Sequence, residues 1–244
     1  MLWMALAWFG CSDPFVVAQN EDTIEAFEKY LTENPNGRFT MEASDRLETL
    51  YLKKAASEGS LEIYDQYLER FPKGNQRTKA LKEREKFLFV WAKEQASGDA
   101  WKKFLDEYPK AEKKRKRYAQ RMVGVYAYLP NLEVGEVEQT QVNMAEDPNG
   151  PLNGWGWKVA VTNKGEARIK DLRMTIQYLG KEGQILDERE WPVVAPSWSV
   201  PIEEERKEVF EPGQTRTWDW SDGKLPEAWS ESVKVFVSRV VMAD

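Results

Sequence analysis

Three segments of the chain repeat one pattern without a gap, and they decide the fold of its first half. They are TIEAFEKYLTENPNG at residues 23–37, SLEIYDQYLERFPKG at 60–74 and SGDAWKKFLDEYPKA at 97–111, so the offset is 37 residues both times. Two aromatic residues, a leucine and a proline fall in register in all three: Phe27, Tyr64, Trp101; Tyr30, Tyr67, Phe104; Leu31, Leu68, Leu105; Pro35, Pro72, Pro109. A fixed period of this size predicts stacked helical hairpins, because one hairpin is too small to bury its own apolar face.

Each segment is followed by a second helical pattern, which carries small residues at repeat-related positions in the first two units. Ala43 and Ala80 are related by the same offset, and so are Ala55 and Ala92. Small side chains at these positions let neighbouring helices approach closely. The sequence therefore predicts three helix-turn-helix units over residues 21–124.

This order of aromatic, tyrosine, leucine, proline, glycine and alanine resembles the tetratricopeptide-type repeats of bacterial envelope proteins. The resemblance implies an α-solenoid that holds peptides or partner domains. It concerns the fold and names no activity, because such repeats are scaffolds for many partners.

The third unit departs from the pattern in its second helix. Arg117 stands where Ala43 and Ala80 stand in the other units, and it closes a basic run. A charged residue at this position predicts a terminal helix with a solvated outer face, and the alternative is an interface toward anionic lipid headgroups or an acidic partner. The residues of this predicted interface are Lys113, Lys114, Arg115, Lys116 and Arg117.

Composition limits the chemistry that the chain can perform. The chain has 244 residues, no histidine, one cysteine and a net charge of −6. Without histidine it lacks the commonest general base and metal ligand, and one cysteine cannot form an intramolecular disulfide or a thiolate metal site. We therefore expect no catalytic residues, no metal, no cofactor and no nucleic-acid partner. A hydrolase using an Asp/Glu pair stays an alternative without a supporting motif.

The apolar run at residues 1–11 ends at Cys11, the only cysteine. It is too short to span a bilayer as a helix, which needs about 20 residues. The placement of Cys11 after Gly10 resembles a bacterial lipoprotein signal, which implies a lipidated Cys11 and a tether over residues 12–20. An ordinary apolar tail or a buried strand is the alternative.

From residue 130 to residue 244 the apolar period changes from helical to two, which predicts strands. We expect strands near residues 132–137, 155–161, 169–178, 185–194, 215–220 and 233–242. Several short strands with no intervening helix indicate an antiparallel β-sandwich.

The strand that ends in Asn163-Lys-Gly165, the strand that ends in Tyr178, and the Pro-Gly turn before Thr215 are similar to the FxLYD type of immunoglobulin-like domain in exported bacterial proteins. Gln214 and a long insertion at residues 192–208 depart from that pattern. The resemblance implies an immunoglobulin-like fold and supplies no catalytic residues.

The same insertion holds the second predicted interface. Trp198 lies near an acidic run in it, and seven of the 11 tryptophans belong to the predicted sandwich. Exposed tryptophans anchor protein interfaces or stack on sugars, whereas packing in the core or under loops is the plainer alternative. The acidic residues of this predicted interface are Glu203, Glu204 and Glu205.

Together these patterns predict a two-domain protein, all-α helical-hairpin repeats followed by an all-β immunoglobulin-like sandwich. The resemblances imply a non-catalytic envelope lipoprotein, with the outer membrane favoured by Ser12, which contacts other envelope proteins. The alternative is a binder of peptidoglycan or polysaccharide that uses exposed tryptophans of the sandwich.

Overall fold

The computed structural model describes residues 13–145 and 150–244. Cys11 and the predicted signal segment lie outside the described residues. The chain forms helices first and antiparallel β-sheets after them, as the sequence predicts. It divides into two compact units, residues up to Glu94 and Gln95–Asp244. Within the described ranges, no helix combines the length and the apolar character needed to cross a membrane.

The segment predicted to be a tether is instead helical in its described part. Helix α1 spans Pro14–Glu21. Proline is favoured at the start of a helix because it lacks the N–H that would be unsatisfied there. The carboxylate of Asp13 accepts a hydrogen bond from the N–H of Phe15 at 2.9 Å and closes the first turn. Phe15 then packs in the core of the first hairpin, which is why this segment is held against the fold.

Six helices form the three predicted hairpins, and the repeats extend to the details of capping. The helices are α2 Ile24–Glu33, α3 Thr40–Glu58, α4 Leu61–Arg70, α5 Arg77–Gln95, α6 Gly98–Glu107 and α7 Lys113–Tyr128. The first helix of each hairpin begins after a hydroxyl residue that caps it, Thr23, Ser60 or Ser97. Each hydroxyl accepts a hydrogen bond from the backbone N–H three residues on, at 3.1 to 3.4 Å.

The residues that share a register in the sequence share a role in the cores. Phe27, Tyr64 and Trp101 are at most 3% exposed. Ala43 and Ala80 are fully buried, as close helix packing requires. In the first unit, buried Glu48 accepts hydrogen bonds from the Tyr67 hydroxyl and from a backbone N–H, each at 3.1 Å.

Among the residues that the structure describes, the second half forms seven strands in two antiparallel sheets. They are β1 Leu132–Val134, β2 Glu138–Val142, β3 Gly154–Asn163, β4 Ile169–Gly180, β5 Ile185–Val194, β6 Thr215–Asp222 and β7 Trp229–Met242. In one sheet β3 pairs with β6 and with both β1 and β2. In the other, β4 lies between β5 and β7. A short helix, α8 (Glu204–Lys207), lies between β5 and β6.

The two sheets pack face to face through alternating residues of their central strands. Trp157 of β3 and Tyr178 of β4 meet edge-on, with ring centroids 5.5 Å apart. Strand β2 has no counterpart of its own among the predicted strands, because its sequence EQTQV is polar and only partly covered. The alternating pattern therefore finds the buried central strands and misses this edge strand.

Helix α7 is tied to the sandwich at its carboxyl end, within the second unit. The Tyr128 hydroxyl donates to the side-chain oxygen of Asn163 at 2.9 Å. Asn163 is fully buried, and its amide donates in turn to the carbonyl of Ala167 at 2.9 Å. The backbone N–H of Lys164 donates to the carbonyl of Asn131 at 2.8 Å. These bonds fix the turn between β3 and β4 against the residues that follow α7.

Candidate functional site

The start of helix α7 differs from the starts of α2, α4 and α6. Those three helices have a hydroxyl cap and an acidic residue in the first turn, namely Glu25, Glu62 and Asp99. Helix α7 has no side-chain cap bond and no acidic residue in its first turn. It begins instead with five basic residues, KKRKR. Positive charge at a helix amino terminus is unfavourable, because the first N–H groups already carry partial positive charge.

The five basic residues predicted as an interface point in different directions. Lys113, Lys114 and Arg117 line a groove of about 810 Å³ beside α7. Arg115 instead forms an ion pair with Glu112 at 2.8 Å, and Lys116 donates to the carbonyl of Pro109 at 2.6 Å. Two of the five side chains therefore bond within the third hairpin, and three face the groove.

We call this concavity the basic groove. One wall is α7, from Glu112 to Gly124, and the other is the end of strand β7 at residues 239–241. Five cationic side chains line it: Lys113, Lys114, Arg117, Arg121 and Arg239. Among the described residues, the first three of these form no ion pair. Glu112 is the single carboxylate in the groove lining, and it is bonded to Arg115.

The other two cations belong to a chain of alternating charges on the outer face of the second sheet. Arg239 donates to Asp171 at 2.6 Å, and Asp171 also accepts from Arg173 at 2.7 Å. Arg173 reaches Glu190 at 3.1 Å, and Glu190 lies 3.6 Å from Arg121. We call these five residues the outer-face network. It holds three arginines and two carboxylates.

Burial and pairing both act on the titratable groups of this network. Burial alone would lower the pKa of Arg173, but hydrogen bonds to Asp171 and Glu190 raise it above its ordinary value. Burial, reinforced by the nearby charge of Glu188, raises the pKa of Tyr118 to about 12. Tyr118 also packs against the Arg121 guanidinium, whose central carbon lies 5.0 Å from the ring centroid. Arg173 is therefore held as a cation, and the Tyr118 phenol is neutral at ordinary pH.

Sequence reasoning did not find Arg121, Arg239 or the carboxylates that hold them. Arg121 follows Arg117 by one helical turn, and Arg239 interrupts an otherwise apolar run in β7. These two positions were the signals in the sequence that could have identified the two arginines. The pairing of α7 with β7 could not be read from the sequence, because it joins two segments more than 100 residues apart by tertiary contact alone.

Trp198, from the other predicted interface, packs into the same outer face. The Arg173 guanidinium carbon lies 4.8 Å from the centroid of its ring. Trp191 meets it edge-on with ring centroids 5.9 Å apart. Trp198 is half-buried, and the structure thus joins it to the outer-face network through Arg173, a link that the sequence did not predict.

The acidic run near Trp198 is largely neutralised within its own loop. Arg206 is 8% exposed, forms ion pairs with Glu203 and Asp219, and donates to a backbone carbonyl at 2.8 Å. Lys207 donates to Glu204 at 2.5 Å, and Glu203, Glu204 and Glu205 are all exposed. A backbone N–H first, and then Arg206, lower the pKa of Glu203. Arg206 therefore holds this loop against the sandwich, while the three glutamates stay exposed on its surface.

The seven tryptophans of the sandwich are all buried or half-buried. Trp155, Trp157, Trp229 and Tyr178 form an aromatic cluster, with ring centroids 5.5 to 5.9 Å apart. Six of the seven have another aromatic ring at a centroid distance of 5.2 to 5.9 Å, and the indole N–H of Trp218 donates to the carbonyl of Trp191 at 3.2 Å.

The comparisons with known proteins add little to this geometry. No family model and no curated protein match the chain. It is similar to a Northeast Structural Genomics Consortium target, SoR45, at 12% identity and a TM-score of 0.24, over 47% of this chain and 85% of that one. It is similar to the putative ApaA protein of Bordetella pertussis at 14% identity and a TM-score of 0.24, over 46% and 89%.

A third solved structure is the alkylpurine DNA glycosylase AlkC of Pseudomonas fluorescens, bound to DNA containing an abasic site analog. The identity is 10% and the TM-score 0.30, over 92% of this chain and 63% of that one. At such low TM-scores these likenesses carry no argument about fold or activity.

Proposed function

We propose that this protein is a non-catalytic scaffold of the bacterial cell envelope, held at a membrane through a lipidated Cys11, that binds other envelope proteins. The observation that carries the binding role is the basic groove, in which three cations have no ion-pair partner among the described residues. A concave surface with unpaired charge of one sign steers and orients a partner of the opposite sign.

In this proposal the helical hairpins belong to the tetratricopeptide type and the sandwich to the immunoglobulin-like type. The repeated caps and aromatic positions support the first assignment. Two face-to-face antiparallel sheets with a long segment between β5 and β6 support the second. Both folds serve mainly as binding platforms, so function rests on the surfaces they display.

The role of the lipid is positional. A single acyl chain binds a membrane only marginally, and firm anchoring needs a second chain or a second signal. The multiply acylated cysteine implied by the lipoprotein resemblance would meet that requirement. The outer membrane is the favoured location. The alternative is a binder of peptidoglycan or polysaccharide, which would use the exposed part of half-buried tryptophans such as Trp198.

Intact mass measurement of the protein extracted from its native membranes tests the anchor. We expect a chain that begins at Cys11 and carries acyl chains. A chain that retains residues 1–10 with a free thiol at Cys11 would overturn the anchor and leave the compartment open.

Site-specific crosslinking tests the scaffold role. A photoreactive residue in place of Lys114, which lines the groove, is expected to capture an envelope protein in intact cells. The same residue in place of Lys181, an exposed lysine in the turn between β4 and β5, is the matched control. Equal capture at both positions would contradict a binding role for the groove.

A further inference from the structure

We propose that the basic groove binds an extended acidic segment of a partner protein, with carboxylates on alternate residues. This inference rests on the proposed scaffold function and names the chemistry of the partner.

The cations of α7 are spaced like alternate residues of an extended peptide chain. Lys113, Arg117 and Arg121 follow one another at four-residue intervals on one helix. With a rise of about 1.5 Å per residue, successive side chains lie about 6 Å apart along the helix. Alternate residues of an extended strand lie about 6.6 Å apart and point to the same side. A segment with acidic residues at every second position therefore meets the three cations in order.

The wall opposite α7 is suited to an extended backbone. Strand β7 is an edge of its sheet, and in the described part of the chain it pairs only with β4. An edge strand presents backbone N–H and C=O groups that a peptide can use. Val240 and Val241 add apolar contact on this wall, and Arg239 adds a cation facing those of α7.

Charge balance favours a polyanionic occupant over a neutral one. Lys113, Lys114 and Arg117 are unpaired among the described residues, and the Glu112 carboxylate in the groove lining is already bonded to Arg115. The buried Nε of Arg121 also finds no acceptor among the described residues. The first turns of α2, α4 and α6 each hold an acidic residue, and the first turn of α7 holds none. Carboxylates in the groove would place negative charge beside this turn, where the helix dipole favours it.

The shape of the site favours a peptide over a membrane surface. The side chains of Arg121 and Arg239 are only 30% and 35% exposed, and both lie in the groove rather than on a convex face. A planar array of headgroups reaches protruding lysines, whereas a single extended chain can enter between a helix and a strand. The experiment must therefore distinguish binding to a peptide from binding to a lipid surface.

Fluorescence anisotropy with labelled peptides tests the proposal on the full chain in nonionic detergent. One peptide alternates glutamate with threonine, and a second has the same composition with all glutamates in one block. We expect the alternating peptide to bind more tightly, and the binding to weaken as salt rises. Equal affinity for both peptides would overturn the extended register, and no binding of either would overturn the proposal.

Three variants locate the binding. Arg117→Glu should weaken the alternating peptide about tenfold or more, because it reverses an exposed charge in the groove. Lys181→Glu makes the same change of charge on an exposed turn and should leave the affinity unchanged. Gly124→Phe should also weaken binding without changing the charge, since a Cβ at Gly124 has no atom within 4 Å and a ring there enters the groove.

Two results would redirect the interpretation. If Arg117→Glu and Lys181→Glu weaken binding equally, the effect is one of net charge and the groove assignment is wrong. If anionic phospholipid vesicles bind in an Arg117-dependent way and neither peptide does, the groove serves a membrane surface and the peptide proposal is overturned. Neither result changes the mass of the lipidated amino terminus, so failure here is distinguishable from failure of the proposed anchor.

Discussion

The second helices of the first and third hairpins, α3 and α7, occupy equivalent places in the repeat but have opposite surfaces. In α3, Ala43 and Leu47 are fully buried. The repeat-related residues of α7 are Arg117, which is exposed, and Arg121, which is half-buried against Glu190. Helix α7 also contributes to a core, but through Ala119, Met122 and Val125, so the two positions that are buried in α3 carry charge at the groove in α7.

The difference shows which parts of a repeat are fixed by folding. The positions on the first helix of each hairpin keep their caps and their buried aromatics in all three units. The second helix is free to change once its neighbour changes. Helix α7 lies beside β7, which carries Arg239. The charged side chains of α7 therefore line a groove beside this strand instead of a contact between two helices.

The largest expected effect comes from moving the charge of α7 into α3. Ala43→Arg should destabilise the first unit by about 3 to 5 kcal/mol, because it places a cation without a partner in a closed apolar core. Urea unfolding of the variant, followed by circular dichroism, measures the loss. A cost below about 1 kcal/mol would mean that the side chain escapes to water, and that α3 and α7 differ less than their burial indicates.

Alkaline titration sharpens the comparison between the two units. Burial, then the charge of Glu48, raises the pKa of Tyr67 to about 12, and burial, then the charge of Glu188, does the same for Tyr118. The unfolded chain releases these protons near pH 10, before the folded chain does. Stability should therefore fall as the pH rises from about 10 to about 12.

Phenolate absorbance and urea unfolding across this range measure the effect. Tyr67→Phe and Tyr118→Phe should each remove one late-titrating group and flatten the loss of stability with pH. Tyrosines that all titrate near pH 10 in the folded protein would contradict the buried environments of both.

The helix caps give a smaller test of the same comparison. Ser97→Ala removes the hydroxyl that accepts from the N–H of Ala100 at 3.2 Å, and should cost about 1 kcal/mol. Glu112→Ala removes the carboxylate of the residue that precedes α7. This side chain makes no cap bond, so its loss should lower the free energy of unfolding by about 0.5 kcal/mol or less. Similar costs from chemical denaturation of both variants would refute the contrast between a capped α6 and an uncapped α7.

The smallest expected effect is that of Arg117→Ala, the reverse of the first substitution. Arg117 is exposed and has no ion pair among the described residues, so the free energy of unfolding should change by about 0.5 kcal/mol or less. Thermal unfolding of the variant beside the parent chain measures this. A loss of several kcal/mol would show that Arg117 supports the fold, and it would remove the argument that its charge is available to a partner.

Sequence patterns predicted the elements better than their associations. The 37-residue repeat predicted the hairpins, and the alternation of Trp157, Val159 and Val161 predicted a buried strand. The tether prediction was wrong because Pro14 begins a helix and Phe15 finds a core to fill. Strand β2 was not predicted separately because its polar residues carry no alternating signal.

The sequence predicted only part of the candidate site. The basic run was visible, but its division into groove-facing and internally bonded residues was not, since Arg115 and Lys116 differ from Arg117 only in which partners lie within reach. The acidic run near Trp198 suggested an open patch, and buried Arg206 neutralises part of it.

By itself the sequence determined the local features of this protein. Hydroxyl caps, proline breaks and the period of apolar residues act within a few residues of chain, so they set where helices and strands begin and end. Only the tertiary structure decided that α7 lies beside β7 and that Arg239, Asp171, Arg173, Glu190 and Arg121 form one network. Electrostatic and packing energies depend on distance in space, and residues far apart in the chain acquire that distance only when the whole unit folds.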